Sequence, residues 1–187
     1  MAIVHNFNAE IFQQSFMIYA ISIGTNTGNR LQNIQNAIDE IKTGLGEVVM
    51  VSNVYESEPW GFESNNWFYN VVLTLQSNID PQGLMTKLLD IEKKMGRERN
   101  AKGYADRCID LDIVLCNECT ICSPNLTLPH SHMHERLFVL LPLQELIPQW
   151  IHPIYKKNLE EMIRECNDDS KINKLTSILN ARMEDCK

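Results

Sequence analysis

Two aspartates, Asp110 and Asp112, interrupt the apolar run RCIDLDIVLCN between Arg107 and Asn117. The run reads as a β-strand, and strand side chains alternate between faces, so residues two apart point the same way. Both carboxylates then project from one face. Ile109, Leu111, Ile113 and Leu115 project from the other, into the core. Like charges at that spacing repel, so a positive group is required between them. Paired carboxylates suit hard cations such as magnesium, which binds through one or two carboxylates together with substrate phosphates. The alternative is a pair of solvent-facing aspartates on an edge strand.

The preceding segment favours the first reading. Lys87, Lys93, Lys94, Arg97, Arg99, Lys102 and Arg107 hold seven of the chain's 17 basic residues, interspersed with Asp90, Glu92, Glu98 and Asp106. Cations gathered beside paired aspartates set opposite charges around a polyanion. Arginine suits phosphate because its planar fork makes two parallel hydrogen bonds. The lysines also fit an ordinary solvated helix face. GRERNAKGYADR, with Gly96 and Gly103, is expected to be mobile and to resemble a lid over a nucleotide. SIGTNTGNR lacks the lysine of a phosphate-binding glycine loop, and its Gly24 and Gly28 read as a tight strand-to-helix turn.

A candidate aromatic set is Trp60, Phe62, Trp67, Phe68, Tyr69 and, distant in sequence, Phe138. Phe68 and Asn70 share a strand face. An aromatic beside an amide can stack a flat heterocycle and hydrogen-bond its edge, with core packing as the alternative. Cys116, Cys119 and Cys122 have a CxxCxxC spacing with His130, His132 and His134 downstream, which raises zinc or iron–sulfur ligation. The strand placement of Cys116 and a following hairpin would spread these thiols apart, so they read as ordinary cysteines. His132 and His134 read as surface residues.

The elements that must position these groups follow from periodicity. A strand ends at Gly24. Leu31, Ile34, Ile38, Ile41 and Leu45 mark an amphipathic helix. EVVMVSNVYES is one strand, and FYNVVLTLQS a third. Asp80-Pro81 starts a second helix with stripe Leu84, Leu88, Ile91 and Met95. Asn117-Glu118 turns the Asp110 strand into a hairpin with CTICS. Helices are expected over 135–146 and 170–186. The result is an α+β chain with a ferredoxin-like βαββαβ core, a mostly antiparallel sheet with helices on one face, an added hairpin and C-terminal helices.

The length of 187 residues suits one domain, and 44% hydrophobic with 22% charged residues suits a globular chain. The formal net charge of -7 argues against general nucleic-acid binding. No apolar run reaches the roughly 18 residues of a membrane span. The first residues lack a secretory pattern, with Met17 an alternative start. Six cysteines without such a signal suggest a reducing compartment, so a cytoplasmic location is expected. The chain divides into an extension at 1–16, a catalytic domain at 17–157 and a C-terminal helical extension at 158–187.

These pieces resemble one family, the 6-hydroxymethyl-7,8-dihydropterin pyrophosphokinases of folate biosynthesis. The resemblance runs from about Tyr19 to Pro153 and rests on RCIDLDI, GRER, LTLPHSHMHERLFVLLPL, YESEPWG, WFYNVV and SIGTN. It implies transfer of pyrophosphate from ATP to the hydroxymethyl group, with ATP as co-substrate, AMP released, two magnesium ions on Asp110 and Asp112, and no obligate protein partner. It implies that Arg97 and Arg107 act in catalysis. Glu92, Arg99, Tyr104, Ile113, Thr127, His130 and Arg136 would bind ATP. Phe68 and Phe138 would sandwich the pterin, Asn70 read its edge, and Ser57 and Trp60 contact it from a loop. Tyr104 stands where tryptophan is common, Phe68 where tyrosine is, and Glu58 where proline is. Leu89, Asn125 and Ser131 replace polar, basic and aromatic nucleotide contacts. Two other classes share such a fold: a magnesium-dependent nucleotidyltransferase and a non-enzymatic nucleotide-sensing module.

Overall fold

A computed structural model describes residues 16–97, 105–117 and 119–175. Its main sheet is antiparallel throughout. β5 (Asp110–Cys116) pairs with β1 (Met17–Thr25), β1 with β4 (Phe68–Ser77), β4 with β3 (Val54–Ser57), and β3 with β8 (Ile172–Leu175). β2 (Glu47–Val51) also pairs with β4. This is the ferredoxin-like strand order extended by one edge strand.

Helix α1 (Arg30–Gly44) starts at Asn29, whose side chain accepts the Gln32 N–H. Helix α2 (Pro81–Lys94) starts at Asp80, which accepts from Gln82 and Gly83, with Pro81 in the first turn where its missing donor costs nothing. Ile34, Ala37, Ile38 and Ile41 of α1 and Leu84, Leu88 and Ile91 of α2 pack with Tyr19, Ile21, Ile23, Val71, Leu73 and Leu75 on one sheet face. That is the helical spacing meeting the strand spacing.

The opposite face is covered as well, which corrects the expectation of helices on one face. Helix α3 (Leu137–Leu146) and helix α4 (Leu159–Glu165) enclose a second core of Ala20, Val72, Leu115, Met133, Leu140 and Leu143. Strand β4 is apolar on both sides because it lies between two layers.

Four further expectations are revised. EVVMVSNVYES is two strands, because the Ser52 hydroxyl takes the place of a carbonyl in the ladder: it accepts the Val72 N–H at 3.0 Å. The next residue, Asn53, turns its N–H to Glu145 at 2.9 Å. Among the described residues, CTICS does not pair with β5. Strand β6 (Ile121–Ser123) pairs with β7 (Leu126–Leu128) in a separate two-stranded sheet. The 135–146 helix is a short 3-10 turn, Met133–Glu135, followed by α3. Of the stretch 170–186, residues Ile172–Leu175 form β8 rather than a helix, and residues beyond 175 lie outside the described ones.

Leu115 is also on the other face from the one its parity suggests. The β1–β5 register slips between Ala20 and Ile21, so that Ile21 faces Ile113 while Ala20 faces Leu115. Val114 is the extra residue of this bulge. Ile109, Leu111 and Ile113 join the α1–α2 core, whereas Val114 and Leu115 join the α3–α4 core. The bulge leaves the Val114 carbonyl to accept the His130 N–H at 2.8 Å.

Candidate active site

Sheet register builds the floor of the site. Asp110 stands opposite Gly24, and Gly24 opposite Asn70, so three adjacent strands place these residues in one row. Asp112 and Ser22 occupy the row two residues on. On the same face, α3 and the Met133–Glu135 turn cover only part of the sheet. A cavity of about 350 Å³ remains, lined by Asp110, Asp112, Arg97, Arg107, Arg136, His130, Ser57, Trp60, Phe68, Asn70 and Phe138. A second cavity of about 250 Å³ is lined by Ile113, Thr127, Asn125, Ser131, Asp112 and His130. Asp112 and His130 line both cavities.

Gly24 belongs to this floor rather than to a tight turn. A Cβ there would meet Asn70 Oδ1 at 3.4 Å, Asp110 Cβ at 3.8 Å and Phe68 Cδ1 at 3.9 Å. The missing side chain is therefore part of the cavity. Asn70 is 3% exposed, and its Nδ2 donates to Ser57 Oγ at 2.9 Å and to the Tyr55 carbonyl at 3.3 Å. With its amino group committed to β3, the amide has its oxygen on the Gly24 side.

The two aspartates sit in different fields. Arg97 bridges Asp110 Oδ1 and Glu92 Oε1, and Arg107 Nη2 lies 3.0 Å from Asp110 Oδ2. Among the described residues, no cation lies within ion-pair distance of Asp112. Burial first, and then the Asp110 charge, push its carboxyl up to about 7, against the opposing pull of Arg136 and Arg97. His130 is pushed down to about 4 by burial and by the Arg136 and His132 charges, so its ring is neutral near pH 7.

Aromatic rings and arginines interleave on the far wall. The Arg136 guanidinium lies 4.7 Å from the Trp60 ring centre and 5.9 Å from that of Phe138. Arg107 lies 5.1 Å from the Phe68 ring, and Phe62 meets Phe68 edge-on at 6.2 Å. Phe68 is 5% exposed, so most of its ring is packed in the protein while it also lines the cavity.

Eleven of the expected site residues thus line the larger cavity, and Ile113 and Thr127 the smaller. Glu92 lines neither. It is 1% exposed, and its Oε1 accepts the Leu111 N–H at 2.8 Å besides meeting Arg97. Arg99, Tyr104 and the expected lid across 98–104 lie outside the described residues. Cys116 is buried in the α1–α2 core, whereas Cys119 and Cys122 are exposed.

A polar clamp beside the site carried no sequence signal. Asn26 and Arg107 are joined twice, by Asn26 N–H to the Arg107 carbonyl at 3.1 Å and by Arg107 N–H to Asn26 Oδ1 at 2.7 Å. Asp106 accepts from Asn26 Nδ2 and from Asn66 Nδ2, each at 2.6 Å. These bonds tie the aromatic loop to the chain entering β5, and so fix where Arg107 begins.

An acidic and basic floor thus joins an aromatic–amide cavity to a second polar cavity on a ferredoxin-like sheet, an arrangement that suits a phosphorylated ligand. Residues 20–148 match the family model for 7,8-dihydro-6-hydroxymethylpterin-pyrophosphokinase, and the chain belongs to that family. It is 40% identical over 139 residues to 2-amino-4-hydroxy-6-hydroxymethyldihydropteridine pyrophosphokinase of Porphyromonas gingivalis, covering 73% of this chain and 94% of the relative. It is 39% identical over 141 residues to the Aquifex aeolicus enzyme of the same name, covering 75% and 87%. The fold is similar to that of Plasmodium falciparum HPPK-DHPS wild type, with a TM-score of 0.67 and 16% identity over 81% of this chain. The chain spans 43% of that longer structure. Among the described residues, no helix is long and apolar enough to cross a membrane.

Proposed function

We propose that this chain transfers pyrophosphate from ATP to the hydroxymethyl oxygen of 6-hydroxymethyl-7,8-dihydropterin, with the pterin in the larger cavity and the nucleoside in the smaller. The observation that carries this placement is that Asp112 and His130 line both cavities. A triphosphate joining the two would cross the aspartates and the arginines beside them. Phe68 and Phe138 would hold the pterin faces and Asn70 its edge. Ser57 and Trp60 would shape the loop side, and Ile113, Thr127 and His130 would meet the nucleoside. Arg136 reaches both the aromatic wall and the phosphate path.

The donor set suits magnesium. Asp110 and Asp112 share one face of β5, Asp112 lines both cavities, and two carboxylates completed by phosphate and water are the magnesium pattern. Asp110 and Asp112 would hold the two ions, which when bound neutralise phosphate charge and polarise the reacting oxygens.

In the reaction, the pterin hydroxyl attacks the β-phosphorus in line. The new O–P bond forms as the bond to the α-phosphate oxygen breaks, AMP leaves, and the hydroxyl proton passes to solvent. Positioning and charge stabilisation carry such a step. Arg97 and Arg107 now bind Asp110; on nucleotide binding they would turn toward phosphate oxygens and stabilise the charge that develops there. Glu92 would anchor Arg97 and the β5 backbone beneath the floor.

Incubation with ATP, magnesium and the hydroxymethyl dihydropterin tests the reading. AMP with a diphosphorylated pterin is expected. Release of pyrophosphate would mark a nucleotidyltransferase, and absence of turnover a sensing module.

A further inference from the structure

Segment 166–175 lies beyond the stretch 20–148 that matches the family, and it touches the cavity wall at two separate points. The first is the start of α3. Asp168 Oδ2 accepts the N–H of Leu137 at 2.9 Å. Leu137 opens α3 between Arg136 and Phe138, both of which line the larger cavity. Helix starts leave N–H groups unsatisfied, and a capping side chain normally accepts one. Here the N-cap residue is Arg136, which makes no such bond. Asp168 supplies the missing acceptor from 31 residues away. Its other oxygen accepts from Ser170 N–H at 3.1 Å and Ser170 Oγ at 2.6 Å, which fixes the carboxylate.

The second point is the start of the aromatic loop. Pairing of β3 with β8 runs to Ser57 and Ile172 and continues one residue further. Glu58 N–H donates to the Lys171 carbonyl at 3.2 Å, and Lys171 N–H donates to Glu58 Oε2 at 2.9 Å. Glu58 lines the larger cavity and leads directly to Trp60. One short segment therefore anchors both jaws of the aromatic end: the loop carrying Trp60 and the helix start carrying Phe138. The Arg136 guanidinium lies between those two rings.

We propose that segment 166–175 sets the width of the aromatic end of the cavity, with Asp168 as a positioning residue for Arg136 and Phe138. The proposal rests on the pterin occupying that cavity. Its physical logic is that α3 is held at one end by its core packing and at the other by Asp168. Releasing the second end lets the ring of Phe138 and the Arg136 side chain drift together, while the smaller cavity, lined by residues of β5, the β6–β7 hairpin, Met85, His130 and Ser131, has no lining residue in α3.

The test compares full-length wild type with Asp168→Ala and Asp168→Asn. Asparagine keeps one of the two acceptors that the carboxylate offers to Leu137 and Ser170; alanine keeps neither. Asp168→Ala should raise the KM for the pterin by about fivefold, the scale of one lost hydrogen bond, with a smaller rise in the KM for ATP that reflects Arg136 alone. Asp168→Asn should restore part of the loss. Amide hydrogen exchange at Leu137, followed by NMR without substrates, should speed up most in the alanine variant and less in the asparagine variant. Parallel loss for both substrates, equal behaviour of the two variants, or unchanged exchange at Leu137 would overturn the proposal. Wild-type protein that does not use the pterin would overturn the functional reading instead, and the exchange measurement would still decide whether Asp168 holds α3.

Discussion

Asp110 and Asp112 project from the same face of β5, yet Asp110 is gripped by Arg97 and Arg107 while no described cation pairs with Asp112. Their equal spacing from the sheet conceals unequal stability roles. Asp110 already has counter-charges in the free protein. Asp112 is held beside a like charge and lines both cavities.

Asparagine substitutions should separate the two. Asp112→Asn removes an uncompensated charge, so the ligand-free protein should melt at the wild-type temperature or slightly above. Asp110→Asn leaves Arg97 with Glu92 alone and takes the paired carboxylate from Arg107, and weakening such partly buried donors costs about 1–3 kcal/mol. Both variants should lose most AMP formation. Thermal melts of ligand-free protein beside a turnover assay check the pair. Equal stability losses would refute the asymmetry.

Stability should depend on pH through the same contrast. The Asp112 pKa rises on folding from 3.8 to about 7, so the folded state binds the extra proton between those values and the stability from it is lost as pH rises through about 7. The His130 pKa falls on folding from 6.5 to about 4, so its contribution is complete above 6.5 and lost as pH falls toward 4. The two oppose each other across the acid range. Asp112→Asn lacks the compensating gain, and its stability should fall more steeply than wild type between pH 7 and pH 5. Urea unfolding at both pH values measures this. Magnesium-dependent nucleotide binding should also weaken below about pH 7 in wild type, as Asp112 protonates.

Removing either aromatic face should weaken the pterin more than ATP. Base–aromatic stacking is worth about 1–3 kcal/mol, so Phe138→Ala should lose tenfold or more in pterin affinity with little effect on ATP. Phe68 is buried against Phe62, and truncating it would also open a cavity in the protein. Phe68→Leu is the cleaner change there. Calorimetric titration with each ligand decides the matter, and equal losses for both ligands would return these rings to a packing role.

Gly24→Ala adds one methyl group to the floor. Its nearest contact, 3.4 Å from Asn70 Oδ1, is an ordinary van der Waals distance and is tolerated in the empty protein. Melting should change little, whereas pterin affinity should drop because the new carbon stands between Asn70 and Asp110. Loss of folding in place of loss of affinity would show that the glycine serves the strand rather than the site.

Asn26→Asp tests the clamp. It keeps the size of the side chain, removes both Nδ2 hydrogen bonds and sets a second carboxylate where Asp106 now accepts at 2.6 Å. Repulsion should free the Arg107 backbone and lower kcat, with partial recovery in Asn26→Ser, which restores a donor without the charge. Steady-state kinetics of both variants check this; identical kcat values for wild type and Asn26→Asp would remove Arg107 positioning from the account.

Most of what defines the site's chemistry was legible in residue types and spacing. Period-two alternation placed Asp110 and Asp112 on one face, and Phe68 with Asn70 on another strand, because a strand's geometry is local. Helix α1 and helix α2 were readable from their 3–4 spacing and their caps for the same reason. What the chain order could not supply was anything decided by pairing across the sheet. The bulge at Val114, which moves Leu115 to the other core and frees a carbonyl for His130, arises from register between β1 and β5. The role of Gly24 depends on Asn70 and Asp110 arriving on either side of it. Segment 172–175 shows the limit most directly. Its apolar residues fit a helix when read alone, but the open edge of β3 offers unpaired backbone groups, and satisfying those makes it a strand. Local geometry determined which groups face together; long-range hydrogen bonding and burial decided which partners they meet, and so why Asp110 is paired with two arginines while no described cation pairs with Asp112.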